Sequence, residues 1–280
     1  MFREPIDPPL VSVVIPTKNS GETIETCLKS IREQTYPNIG VIVVDTCSND
    51  STREIAENFG AKIIVSKTRR SKARNIGAMK AAGEWILFLD SDMELDYSVI
   101  EKCVKEIGKR SDAVIIPEVS VGEGFWAKCK ALEKRCYIGD DLIEAARFFR
   151  KSVFENMGGY DAELEAGEDW DLNQRLTQAG YRIGRINAFI KHYEGRLSLR
   201  ATMLKKRYYG KTLERYRKKH PTEARHQLKL IRPAFTRNWR GLVKDPVHAL
   251  GMLVMKACEL GAVGLGFLAT AGDNELEKKY

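Results

Sequence analysis

Trp85-Ile86-Leu87-Phe88-Leu89-Asp90-Ser91-Asp92 is the stretch whose reading decides the fold. A run of large apolar residues that ends abruptly in acid reads as a buried parallel strand surfacing at its carboxyl end. In open α/β sheets that edge is where ligands bind. Asp90 and Asp92 are separated by a single residue, so the bend after the strand turns them toward a common point, where they repel unless a cation lies between them. Oxygen donors of this kind suit Mg2+ or Mn2+. Mg2+ is usually shared between one or two carboxylates and substrate phosphates, so a phosphate-bearing ligand is expected. A lone D-x-D also reads as an acidic turn capping the next helix; the surrounding chain has to decide.

Outward from that strand the pattern alternates. Val11 to Pro16 is a β-branched strand stopped by proline, Thr17 to Gly21 is turn chemistry, and a helix is expected from Glu22 to Arg32. Val41 to Val44 is the next strand, ending in Asp45, and Ser48 to Thr52 supplies a helix cap. Strands at 62–65 and 113–117 and helices at 71–82 and 96–107 continue the series. A helix over 125–137, a short strand over 145–149, a Gly158-Gly159 turn, a helix over 169–179 and a last strand over 181–186 follow. Alternation with short connections specifies a doubly wound, mostly parallel sheet over residues 1–195. The extension over residues 196–280 is of different character.

Three strand ends then carry polar groups to one edge: Asn19, Asp45, and Asp90 with Asp92. No G-x-G-x-x-G follows the first strand and no Walker A sequence occurs, which disfavours dinucleotide dehydrogenases and P-loop enzymes. Phosphate charge must instead be met by a metal and by basic side chains, for which Lys72 and Arg74 stand just ahead of the central strand. The six cysteines show no C-x-x-C spacing, which argues against a zinc site and fits a reducing compartment. The first residues lack an apolar h-region, so a signal peptide is not expected.

Val13-Val14-Ile15-Pro16-Thr17-Lys18-Asn19, Val43-Val44-Asp45, Asp90-Ser91-Asp92 and Gly167-Glu168-Asp169, in that order, resemble the family 2 glycosyltransferases of the GT-A fold, over roughly residues 10–195. The resemblance implies a Rossmann-like sheet with helices on both faces and a UDP- or GDP-sugar donor. It implies that Pro16, Thr17, Lys18 and Asn19 line the nucleotide pocket, that Asp45 accepts from the base, and that Arg74 lies near the diphosphate. It further implies that Asp92 is the principal ligand of Mn2+ or Mg2+, with Asp90 toward ribose and metal, and that Asp169 is the catalytic base of an inverting transfer. Glu168 beside it would favour the protonated form, as a base needs, although a carboxylate there also caps a helix. His192, after the last expected strand, is a candidate third metal ligand. Relatives that polymerise glucans carry Q-x-x-R-W after the base; here Asn173-Gln174-Arg175-Leu176 lacks the tryptophan, so transfer of a single sugar is expected.

Charge is unevenly spread. Residues 196–280 hold 19 Lys/Arg against 7 Asp/Glu, while the first 195 are net acidic in a chain of net +8. Arg200 to Lys219 reads as a basic helix with Tyr208, Tyr209 and Tyr216 interleaved, suited to an anionic partner. Val247 to Ala271 is almost wholly apolar or small, interrupted by Lys256 and Glu259, and exceeds the roughly 20 residues a bilayer requires. A nucleic-acid binder needs no such segment, so an anionic membrane surface is the expected partner and nucleic acid is not. The segment is expected to lie on or in one leaflet, with a single span or a soluble packing helix as the alternatives, and the positive-inside rule places the protein on the cytoplasmic face. A lipid-linked glycan hydroxyl, in cell-envelope or glycan biosynthesis, is the expected acceptor. Polyprenyl phosphate is the alternative, because such a phosphate is already ionised and needs no base. A non-catalytic sugar-nucleotide scaffold is a further alternative. A sugar-1-phosphate nucleotidyltransferase would require a Gly-rich, Arg-bearing loop after the first strand, and Thr17 to Ser20 is not that loop.

Overall fold

The computed structural model describes residues 8–277. In chain order the first elements are β1 (Val11–Thr17), α1 (Ile24–Arg32), β2 (Ile39–Asp45), α2 (Thr52–Asn58), β3 (Lys62–Val65), α3 (Arg70–Lys80), β4 (Trp85–Phe88), β5 (Met93–Leu95), α4 (Val99–Lys109) and β6 (Ala113–Ile115). There follow β7 (Glu118–Glu123), α5 (Gly124–Tyr137), β8 (Ala146–Arg150), α6 (Lys151–Asn156), α7 (Glu168–Gln178), β9 (Ile183–Arg185) and β10 (Ile190–Arg196). Five helices complete the chain: α8 (Leu199–Lys219), α9 (Pro221–Gln227), α10 (Pro233–Arg237), α11 (Trp239–Lys244) and α12 (Pro246–Glu277). Two compact units result: a sheet unit of residues 1–117, 146–160 and 172–190, and a helical unit of 118–145, 161–171 and 191–280. The residues beyond 195 therefore share their unit with two segments from earlier in the chain.

The sheet unit is the expected α/β architecture. Its seven strands run in the order β3-β2-β1-β4-β8-β6-β9. β1 pairs in parallel with both β2 and β4, with Thr17 opposite Asp45. All seven residues of β1 are buried, as a strand covered on both faces requires. Alternate residues serve opposite layers: Val13, Ile15, Leu87 and Leu89 pack with α1 and α4, whereas Val14, Ile86 and Phe88 pack with α3, α6 and α7. Gly77 lets α3 lie on the sheet, since a Cβ there would stand 2.2 Å from Val14 Cγ1. Phe88 anchors an aromatic cluster, with ring centroids 5.9, 4.8 and 5.1 Å from Phe149, Phe154 and Tyr160.

Two features depart from the sequence reading. β8 is antiparallel to both of its neighbours, β4 and β6. β7 and β10 are neighbouring strands outside the main sheet, so His192 lies within a strand rather than after the last one. Within the expected cap of Ser48 to Thr52, it is Asp50 that serves α2: its Oδ1 accepts from Thr52 N at 3.1 Å, while Ser51 at the N-cap makes no side-chain bond.

In the helical unit α12 packs along α8 and α5. Gly210 and Gly266 let the backbones of α8 and α12 touch: a Cβ on Gly266 would sit 2.4 Å from Arg207 O. Lys256 and Glu259 on α12 are 5% and 3% exposed and turn toward α5. Lys256 bonds Glu133 and also Glu259 (2.8 Å); Lys130 bonds Glu133 (2.8 Å) and Glu259 (2.9 Å). Burial raises the proton affinity of Glu133, but Lys130 and Lys256 outweigh it and hold the carboxyl well below its ordinary range. The charges that interrupt the apolar run are thus neutralised inside the protein.

Candidate functional site

In the sheet unit the loops after β1, β2 and β4 are tied together. Asp45, wholly buried, accepts from Thr17 Oγ1 (3.0 Å), Ser48 N (2.9 Å) and Ser48 Oγ (2.5 Å). Ser48 Oγ in turn accepts from Asn19 N (2.8 Å), and Asn19 Oδ1 accepts from Asn49 N (3.1 Å). Asn19 and Cys47 take left-handed φ values of 49° and 58°, which is how each loop leaves its strand so sharply. Asp45 in this state braces the two loops. Pro16 is buried beneath them.

Ser91 Oγ donates to Ser20 Oγ (2.8 Å), joining the Asp90-Ser91-Asp92 bend to the first loop. Asp90 is gripped by Arg74 of α3 at 2.5 Å and by Arg147 of β8 at 3.5 Å. Burial alone would raise its pKa, yet Arg74, Arg147 and Arg70 outweigh burial and hold it far below the carboxylate range. Arg74 is itself 3% exposed and lies over the Tyr160 ring at 5.5 Å. Lys72, on the same helix, is exposed. A cleft of about 400 Å³ beside β1 and β2 is lined by Lys18, Thr46, Lys67, Thr68 and Arg69. Lys18 Nζ is fixed over it by Thr46 O (2.8 Å) and Cys47 O (2.6 Å).

The donors fit a divalent ion in one particular way. Among the described residues no group of three His, Cys, Asp or Glu side chains converges to hold a metal. Asp90 is balanced by two guanidiniums, and Asp92, half-buried, is the second carboxylate of the bend that would suit a hard cation. His192 lies in the helical unit, its Nδ1 4.0 Å from Glu118 and 3.9 Å from Glu194.

The helical unit contains the first turn of α7. Asp169 is half-buried and its Oδ1 accepts from Trp170 N at 2.8 Å; Glu168 is buried. Gly167 enters the helix at φ 81°, a conformation glycine adopts freely. The turn is latched by α8: Asp171, wholly buried, bonds His220 Nε2 (2.9 Å) and Lys219 Nζ (3.1 Å), and Lys219 also reaches Asp161 (2.7 Å). Trp170 donates its indole N–H to Ile143 O (2.9 Å). Further along α7, in the sheet unit, Arg175 binds Met157 O (2.5 Å) and Gly159 O (2.7 Å), and Leu176 is core.

Arg147, the Ser48 contact with Asp45 and the Asp171 latch are contributions that sequence reading missed. Only Asp171 had a trace, a third acid in the first turn of an expected helix.

The Asp90 contacts have a measurable pH signature. A group whose pKa is depressed on folding stabilises the native state above its unfolded pKa, and that stability is lost as pH falls toward the folded value. Asp90→Asn should lower stability near neutrality by about 3 kcal/mol, the scale for removing one partner of a buried pair. In urea unfolding the gap to wild type should narrow below about pH 4; a gap constant down to acid pH contradicts the pairing.

A family model for "Glycosyl transferase family 2" matches residues 12–158. Glycosyltransferase AglE of Haloferax volcanii is 28% identical over 193 residues, 62% of this chain and 64% of that protein. A PGL/p-HBAD biosynthesis glycosyltransferase of Mycobacterium bovis is 30% identical over 178 residues, 60% of this chain and 69% of that protein. This chain thus spans about two thirds of the length of either relative. Among solved structures, mannosyltransferase PcManGT from Pyrobaculum calidifontis, in complex with GDP-Man and Mn2+, matches with a TM-score of 0.61 at 20% identity, covering 94% of this chain and 75% of that one. TarS 1–349 of S. aureus, in complex with UDP-GlcNAc, gives 0.55 at 20% identity, covering 91% and 89%. With the family's sequence pattern running across the strand ends that carry Asn19, Asp45, Asp90 and Asp92, the chain belongs to glycosyl transferase family 2 and has the GT-A fold.

Proposed function

We propose that this protein transfers a single sugar, with inversion, from a nucleotide-diphosphate sugar to a hydroxyl of a lipid-linked glycan at an anionic membrane surface. The observation that carries the donor half is the Arg74–Asp90–Arg147 cluster at the end of β4, in the same unit as the cationic cleft of Lys18, Lys67 and Arg69. Two guanidiniums placed there suit a diphosphate, since arginine pairs with phosphate through parallel N–H bonds. A fold neighbour holds GDP-Man with Mn2+ and another holds UDP-GlcNAc, which supports either class of donor.

In the proposed reaction the acceptor hydroxyl gives its proton to the Asp169 carboxylate as its oxygen bonds to the anomeric carbon. The bond from that carbon to the diphosphate oxygen breaks, and the electron pair leaves with the nucleotide diphosphate. Attack opposite the leaving group inverts the configuration, as in inverting glycoside hydrolysis. Mn2+ or Mg2+ at Asp92 would offset charge on the leaving diphosphate. The Asp171–His220 latch keeps the first turn of α7 in place, Glu168 is the buried acid beside the proposed base, and His192 is assigned to the Glu118–Glu194 cluster rather than to the metal.

The membrane half rests on an inversion of ordinary helix polarity. Pro246 to Ala269 is long and apolar enough to cross a bilayer. Its charged residues face inward, whereas Val247, Leu250, Val254, Leu265 and Leu268 are 64%, 66%, 44%, 54% and 69% exposed, with Ala257 and Gly261 filling the same stripe. Trp239 and Val243, 55% and 66% exposed, lead into it. An uncharged stripe of this length beside Arg240 and Lys244 fits a helix lying in the plane of one leaflet, its apolar side in the acyl region.

Two outcomes test the proposal. Asp169→Asn should abolish transfer while leaving affinity for the nucleotide sugar within a few-fold, and loss of donor binding instead removes Asp169 from the base role. Leu250→Glu with Val254→Glu should cut co-sedimentation with anionic vesicles at least about tenfold, as burying charge in lipid requires, without lowering the melting temperature. Undiminished co-sedimentation contradicts the docking face.

A further inference from the structure

Arg232 carries a charge that the described residues do not answer. The residue is 6% exposed, and its Nε is buried with no hydrogen-bond acceptor. Its guanidinium stacks over the Tyr137 ring at 5.0 Å, and Tyr137 is stacked in turn on Phe235 at 5.7 Å and 27°. The acidic groups of this part of the helical unit are committed elsewhere. Glu133 takes Lys130, Lys256 and the Tyr137 hydroxyl (2.6 Å); Glu259 takes Lys130 and Lys256; Asp140 takes Arg237 at 2.5 Å.

A buried guanidinium without a counter-ion is costly, and arginine is never relieved of its charge by deprotonation in a protein. Such a group is retained where an anion arrives to meet it.

The flanking residues indicate what kind of anion. Leu230 and Ile231, immediately before Arg232, are 41% and 62% exposed, and Pro233 immediately after it opens α10. An uncovered aliphatic pair adjoining a largely buried cation is suited to an amphiphile whose phosphate is directly attached to a hydrocarbon chain. We infer that Arg232 binds the phosphate of the polyprenyl-linked acceptor, with the first isoprene units over Leu230 and Ile231. This rests on the lipid-linked acceptor proposed above and adds the residue that holds its headgroup. The planar fork, fixed on Tyr137, offers two parallel N–H bonds to one phosphate.

The test uses the full chain and vesicles of phosphatidylcholine doped with either polyprenyl monophosphate or phosphatidylglycerol at matched surface charge. Wild type should prefer polyprenyl phosphate by about tenfold, the equivalent of about 1.4 kcal/mol. Arg232→Gln should bring that preference close to unity, and Lys229→Gln, which removes an exposed neighbouring charge, should leave it intact. Arg232→Lys keeps the charge but not the fork; it should give an intermediate preference, and it serves as the reporter if circular dichroism shows the glutamine variant unfolded. No preference in wild type, a preference retained in both Arg232 variants, or equal loss in Lys229→Gln overturns the site. Thermal stabilisation by inorganic phosphate equal to that by the lipid overturns the lipid assignment. Donor hydrolysis by wild type is measured alongside: its absence removes the proposed transfer while the vesicle preference still decides the phosphate site.

Discussion

The pairing of Asp90 with Arg74 and Arg147 is the contact on which the proposed donor side of the sheet unit depends. Asp90 and Asp92 leave one strand end one residue apart, and without compensation they would repel and splay the bend. Two guanidiniums remove that conflict. They also couple the bend to distant parts of the chain, because Arg74 comes from α3 and Arg147 from β8. Arg74 is held in turn over Tyr160, whose ring packs against Phe88 of β4. The carboxylate, the cations that balance it and the apolar cluster beneath form one mechanical unit, so the site is preorganised by the same packing that stabilises the sheet.

The helical unit solves a different problem. The segment bearing Glu168 and Asp169 begins on a left-handed glycine and would fray on its own. Asp171, His220 and Lys219 clamp it to the end of α8, and α8 in turn lies against α12 through Gly210 and Gly266. Residues past 195 thus build the proposed base region as well as the proposed membrane face. For that reason truncating the tail is a poor probe of membrane binding: it would strand Glu133 and Lys130 without Lys256 and Glu259, whereas substitution on the exposed stripe leaves the buried charges intact.

Much of the sheet was legible because parallel strands buried on both faces read as unbroken apolar runs, and their ends are marked by the first polar residue. Asn19, Asp45, Asp90 and Asp92 stand out for that reason alone. β7 and β10 were not legible: both are half-exposed, short of apolar residues and interrupted by Gly122 and Gly195, so neither period shows. Arg147 was hidden because its strand reaches Asp90 only through antiparallel pairing, which local pattern does not encode. Ser48 depends on a left-handed turn at Cys47 that its residue type does not announce. Lys256 and Glu259 pair with each other at a spacing of three residues, which the sequence displays; their partners on α5 required the fold. The only trace was Glu133, an acid on the apolar side of an expected helix.

Calorimetric titration of the intact protein with UDP-GlcNAc and with GDP-mannose, in Mn2+ and then in EDTA, tests the central claim most directly. The account predicts saturable binding of at least one of the two nucleotide sugars, weakened about tenfold or more once the metal is chelated, a loss of at least about 1.4 kcal/mol. Binding of neither, or binding of equal strength in EDTA, would contradict a diphosphate site organised around Asp90 and Asp92.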